Sequence, residues 1–189
     1  AHQKGIIHRA IKHSNILVTM QDGQPLAKVI DFGVAKAIGH SLTVKTIYTR
    51  FASMVGTPTY MSPEQAEMSA NDVDTRSDIY SLGVLLYELS TGTTPFAVER
   101  LHNVGFDELR RIIREEEPPR PSTRLSTLEY EMAQTVAVSR RLDPAKLATS
   151  MKRDLDWIIM KALDKDRNRR YSSTAALGQD VSRFLMDQP

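Results

Sequence analysis

His8-Arg9-Ala10-Ile11-Lys12-His13-Ser14-Asn15 is followed, sixteen residues after its asparagine, by Asp31-Phe32-Gly33. Two short β-prone runs lie between them, Ile16-Leu17-Val18-Thr19 and Ala27-Lys28-Val29-Ile30. Asp22-Gly23 and Pro25 separate the runs and are turn residues, so the spacing predicts a hairpin. Asp31-Phe32-Gly33 then falls at the exit of its second strand.

Outward from this hairpin the chain reads as helical. Residues 34–60 show no sustained period and many Thr and Ser, which predicts a long loop of the kind that carries function in a compact domain. From Asp78 to Ser90 the sequence has hardly any polar face, which predicts a helix buried all round and stopped by Gly92. Phe106, Leu109, Ile112 and Ile113 have helical spacing, with Asp107 as a start signal, and the run dies at Pro118-Pro119. Leu155, Ile158, Ile159, Ala162 and Leu163 mark another amphipathic helix. A last one is predicted over 174–186 with Leu177, Val181, Phe184 and Leu185 facing inward. Residues 121–150 read as a partly helical insertion, with Asp143-Pro144 as an N-cap and first helical position. The expected fold is mainly α with a small β-hairpin.

Bulk properties narrow the function. The 189 residues suffice for one domain with a sizeable core. Hydrophobic residues make up 41% and charged residues 25%, an ordinary globular balance. A net charge of +2, from 25 basic and 23 acidic side chains, argues against a nucleic-acid surface. The absence of cysteine removes disulfides, thiolate metal sites and cysteine nucleophiles, and suits a cytoplasmic location. No apolar run reaches the length of a membrane span. Ala1-His2-Gln3-Lys4 has neither an initiator Met nor a signal-peptide pattern, so the chain is expected to be part of a longer one.

Phosphoryl transfer needs oxygens that hold Mg²⁺, a group that orients and deprotonates the acceptor, and positive charge against the moving phosphate. The two opening strings resemble the catalytic loop (8–15) and metal loop (31–33) of a protein kinase, H-R-D-x-x-x-x-N followed by D-F-G. Later strings continue the resemblance. Gly56-Thr57-Pro58-Thr59-Tyr60-Met61-Ser62-Pro63-Glu64 is similar to the end of an activation segment spanning 31–64. Asp78-Ile79-Tyr80-Ser81-Leu82-Gly83 is similar to the start of the family's buried central helix, and residues 163–170 to the segment whose arginine pairs with the Ser-Pro-Glu carboxylate. The resemblance covers residues 1–187 apart from the insertion. It identifies the C-terminal lobe of a bacterial, eukaryotic-like (Hanks-type) serine/threonine protein kinase, with the N-terminal lobe absent.

The resemblance implies roles for particular residues. Asp31 and Asn15 would hold the metals, and Lys12 would bring charge to the γ-phosphate. His8 and Arg9 would shape the loop, and Asp78 would tie down its backbone. Glu64 would pair with Arg170, leaving Arg167 and Arg169 in solvent. Lys12 and Thr57 favour Ser/Thr over Tyr specificity. Thr43, Thr46, Thr49 and Ser53 are candidate phosphorylation sites, with Arg9, Lys36, Lys45 and Arg50 available to bind the phosphate. ATP and Mg²⁺ are the implied cofactors and a protein hydroxyl the implied substrate.

One position departs from the pattern. Ala10 stands where the catalytic Asp belongs and has no oxygen to accept the substrate proton. General-base catalysis contributes about 10²–10⁴-fold, roughly 3–5 kcal/mol of barrier. His13 reads as a loop filler. The Gly-rich phosphate loop, strand Lys and helix Glu have no counterpart within the chain. Two functions follow: a piece of a serine/threonine kinase, inactive as written, or a non-catalytic pseudokinase interaction module. The retained Lys12, Asn15, Asp31, Thr57 and Glu64 favour the first.

Overall fold

The computed structural model describes residues 2, 6–31, 36–37, 58–67, 73–128, 134–135, 137–138 and 153–186. The strands are β1 (Ile6–Ile7), β2 (Ile16–Gln21), β3 (Gln24–Val29) and β4 (Lys36–Ala37). The helices are α1 (Pro63–Ala66), α2 (Thr75–Thr91), α3 (Val98–His102), α4 (Phe106–Glu115), α5 (Pro121–Thr127), α6 (Asp154–Ala162) and α7 (Thr174–Leu185). Short 3₁₀ turns occupy His13–Asn15 and Pro58–Tyr60.

The hairpin forms where the turn residues place it. Asp22 and Gly23 both have positive φ, 51° and 75°, as a two-residue turn matching the strand twist requires. The register runs from Gln21↔Gln24 to Ile16↔Val29. Pro25 lies inside β3, opposite Met20, rather than in the turn. A two-stranded ribbon has only edges, so the missing N–H costs the ladder little. β1 pairs antiparallel with β4.

Helix α2 is the axis of the packing. Asp74 caps it, its carboxylate accepting from the Arg76 backbone N–H at 2.7 Å. Gly92 ends it in the left-handed conformation. Ile79, Tyr80, Val84 and Tyr87 are buried, and α2 packs against α5 and α6. Burying each such side chain contributes roughly 1.5–3 kcal/mol. Gly83 permits the α2–α6 approach, because a β-carbon there would lie 2.8 Å from Ala162 Cβ. The helix is not buried all round: Leu89 is 58% exposed. It lies near the helix end, where neighbouring elements cover one side only.

Three apolar clusters surround this axis. Tyr60, Tyr87, Leu125, Leu155 and Ile159 form one, and Phe96, Leu101, Leu109, Ile112 and Ile113 a second. Ile79, Ile158, Ala162, Tyr171 and Leu177 form the third, beneath α7. Leu185, expected to face inward, is 74% exposed; it lies about one residue's rotation round α7 from Phe184, which packs against the clusters that hold the α6 side chains. Within the expected insertion, Pro121, Ser122 and Leu125 are buried. The Ser122 N–H and hydroxyl both donate to Asp156, at 2.9 and 2.6 Å.

Candidate functional site: the loop around Ala10

Residues 8–15 are held by their own polar groups and by two distant carboxylates or amides. Asp78, fully buried at the first turn of α2, accepts from the backbone N–H of His8 and of Arg9, both at 2.8 Å. It also lies 2.8 Å from His2 Nε2. Arg9 has a φ of 65°, sparsely populated by non-glycine residues. Its backbone is held at both ends, the N–H by Asp78 and the carbonyl by Gln65 Nε2 at 3.3 Å.

His8 links this loop to the strand exit. The Ala10 N–H donates to His8 Nδ1 at 3.3 Å, so Nε2 carries the proton and donates to the Ile30 carbonyl at 3.2 Å. Asn15, buried, donates from Nδ2 to the Ala10 carbonyl at 2.8 Å. Its own carbonyl accepts from the Ile30 N–H at 2.9 Å, extending the hairpin ladder by one step. Asp31 follows directly, exposed and with a φ of 63°. The loop and strand exit are therefore stitched together at Asn15 and Ile30, and the side chain of residue 10 contributes only a methyl.

Asn15 and Asp31 suit Mg²⁺ by donor type. Both offer hard oxygens, and bonding of Asn15 Nδ2 to the Ala10 carbonyl leaves its Oδ1 for other uses. Among the described residues no group of three or more His, Asp or Glu converges as a self-contained metal site. Mg²⁺ in nucleotide sites commonly takes only one or two protein oxygens, the remainder coming from phosphates and water, so the pair fits.

The anchor beneath this loop is a buried ion pair. Arg170 donates from Nη1 to Glu64 Oε1 at 2.7 Å and from Nη2 to Oε2 at 2.8 Å. The carbonyls of Asp164, Arg76 and Lys165 accept its remaining N–H groups at 2.7, 3.0 and 3.3 Å. The Ser77 hydroxyl donates to Glu64 Oε1 at 2.6 Å. Burial opposes ionisation of Glu64, but the bonds and charge of Arg170, with Ser77, outweigh it and hold the carboxyl below its usual range. Arg169 is exposed and 3.9 Å from Asp166; Arg167 is half-buried, 3.9 Å from Asp74.

Sequence reading missed three features. Ser62-Pro63-Glu64-Gln65 is a capping box that starts α1, with Ser62 and Gln65 exchanging bonds and Pro63 at the first turn. That signal was present in the string. The second feature had none: His13, read as a filler, lies 2.9 Å from the Tyr60 hydroxyl, which donates in turn to Glu88. Burial and Glu88 push the Tyr60 phenol well above its ordinary range, so it keeps its proton. The third is Ser77, whose partner lies thirteen residues away. Lys12 is half-buried. Phe32, Gly33, Thr43, Thr46, Thr49, Ser53 and Thr57 lie outside the described residues.

Comparisons with known proteins show the family. The family model of the protein kinase domain matches residues 1–181. Serine/threonine-protein kinase PknB of Mycobacterium leprae is 35% identical over all of this chain, which covers 24% of that protein. Probable serine/threonine-protein kinase SCO3848 of Streptomyces coelicolor is 37% identical, with 100% of this chain and 23% of the relative covered. Serine/threonine-protein kinase pkn3 of Myxococcus xanthus is 38% identical over 92% of this chain and 30% of the relative. The chain thus spans about a quarter of the length of the curated relatives it matches. With a carboxylate-held loop, a hairpin delivering Asp31 and a matching family model over nearly all its residues, the chain belongs to the protein kinase domain family.

Proposed function

We propose that this chain is the C-terminal lobe of a bacterial Hanks-type serine/threonine kinase domain in which the phosphoryl-transfer step is disabled at residue 10. The observation that carries the reading is Ala10 itself. It sits in a loop whose backbone bonds to Asp78, Asn15 and Gln65 are all made, yet it presents no oxygen to an acceptor hydroxyl.

Asn15 and Asp31 would hold Mg²⁺, which supplies charge neutralisation on the nucleotide phosphates when bound. Lys12 would place positive charge beside the transferred group. Nothing at position 10 orients the protein Ser/Thr hydroxyl or takes its proton, so transfer falls by about 10²–10⁴-fold. Among the described residues no helix is long and apolar enough to cross a membrane, and a cytoplasmic location accords with the cysteine-free sequence.

The test is radiolabel transfer from ATP in the full-length protein. Wild type should show background transfer, and Ala10→Asp should raise it by about 10²-fold or more. Strong transfer by wild type, unchanged by Ala10→Asp, would sink the reading. The same missing oxygen supports a second reading, a pseudokinase module that binds partners through its helices. Background transfer that Ala10→Asp fails to raise would favour that module.

A further inference from the structure

His13 combines two properties that the other described histidines hold separately. Its side chain is 64% exposed, and a carboxylate stands behind one of its ring nitrogens. Nδ1 lies 2.9 Å from the Tyr60 hydroxyl and 3.4 Å from Glu88 Oε1. The Tyr60 O–H donates to Glu88 Oε2, and a phenol has only one proton to give. The Tyr60 oxygen therefore accepts from His13, and Nδ1 carries the hydrogen. Nε2 is left with the lone pair and is bonded to nothing among the described residues.

The other described histidines lack one property or the other. His8 is buried, with both ring nitrogens engaged. His2 has a carboxylate, that of Asp78, at Nε2, but its side chain is only 22% exposed. His102 is exposed at the end of α3, and among the described residues no carboxylate pairs with its ring.

We propose that His13 is a phosphoacceptor, its Nε2 taking a phosphoryl group from N–P donors, the class that contains phosphoramidate and phosphohistidine. The Nε2 lone pair attacks phosphorus and a new N–P bond forms. The donor's own P–N bond breaks, and its nitrogen, already protonated, leaves with the bonding pair as neutral ammonia or imidazole. The ring of His13 keeps its Nδ1 hydrogen and becomes an imidazolium. That positive charge develops beside the Glu88 carboxylate, while the Tyr60 oxygen holds the ring in the reactive tautomer. Exposure alone would admit the donor; the fixed tautomer and the facing charge act on the transition state. The site uses neither Asn15, Asp31 nor a nucleotide, so it stands apart from the question of Ala10.

The experiment treats the purified chain with potassium phosphoramidate near neutral pH. Each histidine is followed by phosphorus NMR and by peptide mass spectrometry in alkali, where phosphohistidine survives. His13 should be phosphorylated at least about tenfold faster than His102 or His2, and at Nε2. Glu88→Gln keeps an acceptor for the Tyr60 hydroxyl and removes the charge, so the His13 rate should fall toward that of His102 while His102 itself is unchanged. Denaturing urea should erase the difference between the two histidines, and His13→Asn should remove the fast-labelled peptide. Equal rates at His13 and His102, label on Nδ1 of His13, an advantage that survives urea, or a His13 rate unmoved by Glu88→Gln would each overturn the proposal.

Discussion

Two positions of this domain, Asp78 and Ala10, contrast sharply. At Asp78 the carboxylate is kept, fully buried, and holds the His8 and Arg9 amides. At residue 10, on the very loop that Asp78 holds, the carboxylate of the family pattern is replaced by a methyl. Glu64 sides with Asp78: it too is buried and bound from several directions. The difference teaches that loop shape and loop chemistry are separable. A carboxylate that satisfies buried N–H groups stabilises the fold whether or not a reaction occurs, because leaving those donors unmade costs about 1–3 kcal/mol each. A carboxylate that faces only the acceptor contributes to the rate and little to the fold.

The largest expected effect tests the structural side of that contrast. Arg170→Ala leaves Glu64 buried and unpaired, which costs roughly 3–5 kcal/mol, or about 6–20 °C of thermal midpoint for a domain of this size. Arg169→Ala, on an exposed side chain, should change stability by no more than about 0.5 kcal/mol. Equal, small losses from both would mean the buried pair anchors nothing. The pH dependence carries the same signature. Glu64 has a depressed carboxyl in the folded state, so its contribution is present above the unfolded glutamate value, about 4.3, and is lost as pH falls through the depressed one. Urea unfolding of wild type and Glu64→Gln should therefore converge in acid and diverge above about pH 5.

Asp78→Asn should have an intermediate effect. One of the two carboxylate oxygens becomes an NH₂ group, so one of the two backbone donors loses its acceptor, at about 1–3 kcal/mol. Amide exchange at His8 and Arg9 should accelerate with it. Unchanged exchange would show that Arg9 keeps its left-handed backbone without Asp78. The smallest effect belongs to Ala10→Asp. Residue 10 is only half-buried and its side chain holds no backbone group, so the stability change should stay within about 0.5 kcal/mol. A large change in either direction would join the chemistry of the loop to its shape and break the contrast.

Much of this molecule follows from local chemistry. Asp22-Gly23 sets the hairpin turn, because a two-residue turn needs positive φ at both positions. The spacing of Leu155, Ile158, Ile159 and Ala162 sets an amphipathic face, and Gly92 stops α2. The order of the His8–Asn15 and Asp31–Gly33 strings, with the later Ser-Pro-Glu, points to the kinase family that the comparisons show. The Glu64–Arg170 pairing was legible only through that resemblance, since nothing in local periodicity joins residues 106 apart.

Tertiary structure alone decided which similar residues differ. Leu177 and Leu185 lie on one helix, yet one is buried and the other exposed, because Leu177 shares the packed face with Val181 and Phe184 and Leu185 turns off it. Lys161 and Lys165 both meet aromatic rings, but Lys165 also donates to the Ile113 carbonyl and lies beside the buried Arg170. His13 gains Tyr60 and Glu88 as partners from segments far along the chain. Local sequence fixes backbone preference within a few residues. Burial, hydrogen-bond partners and proton affinity depend on which distant atoms arrive within a few ångströms, and only packing brings them there.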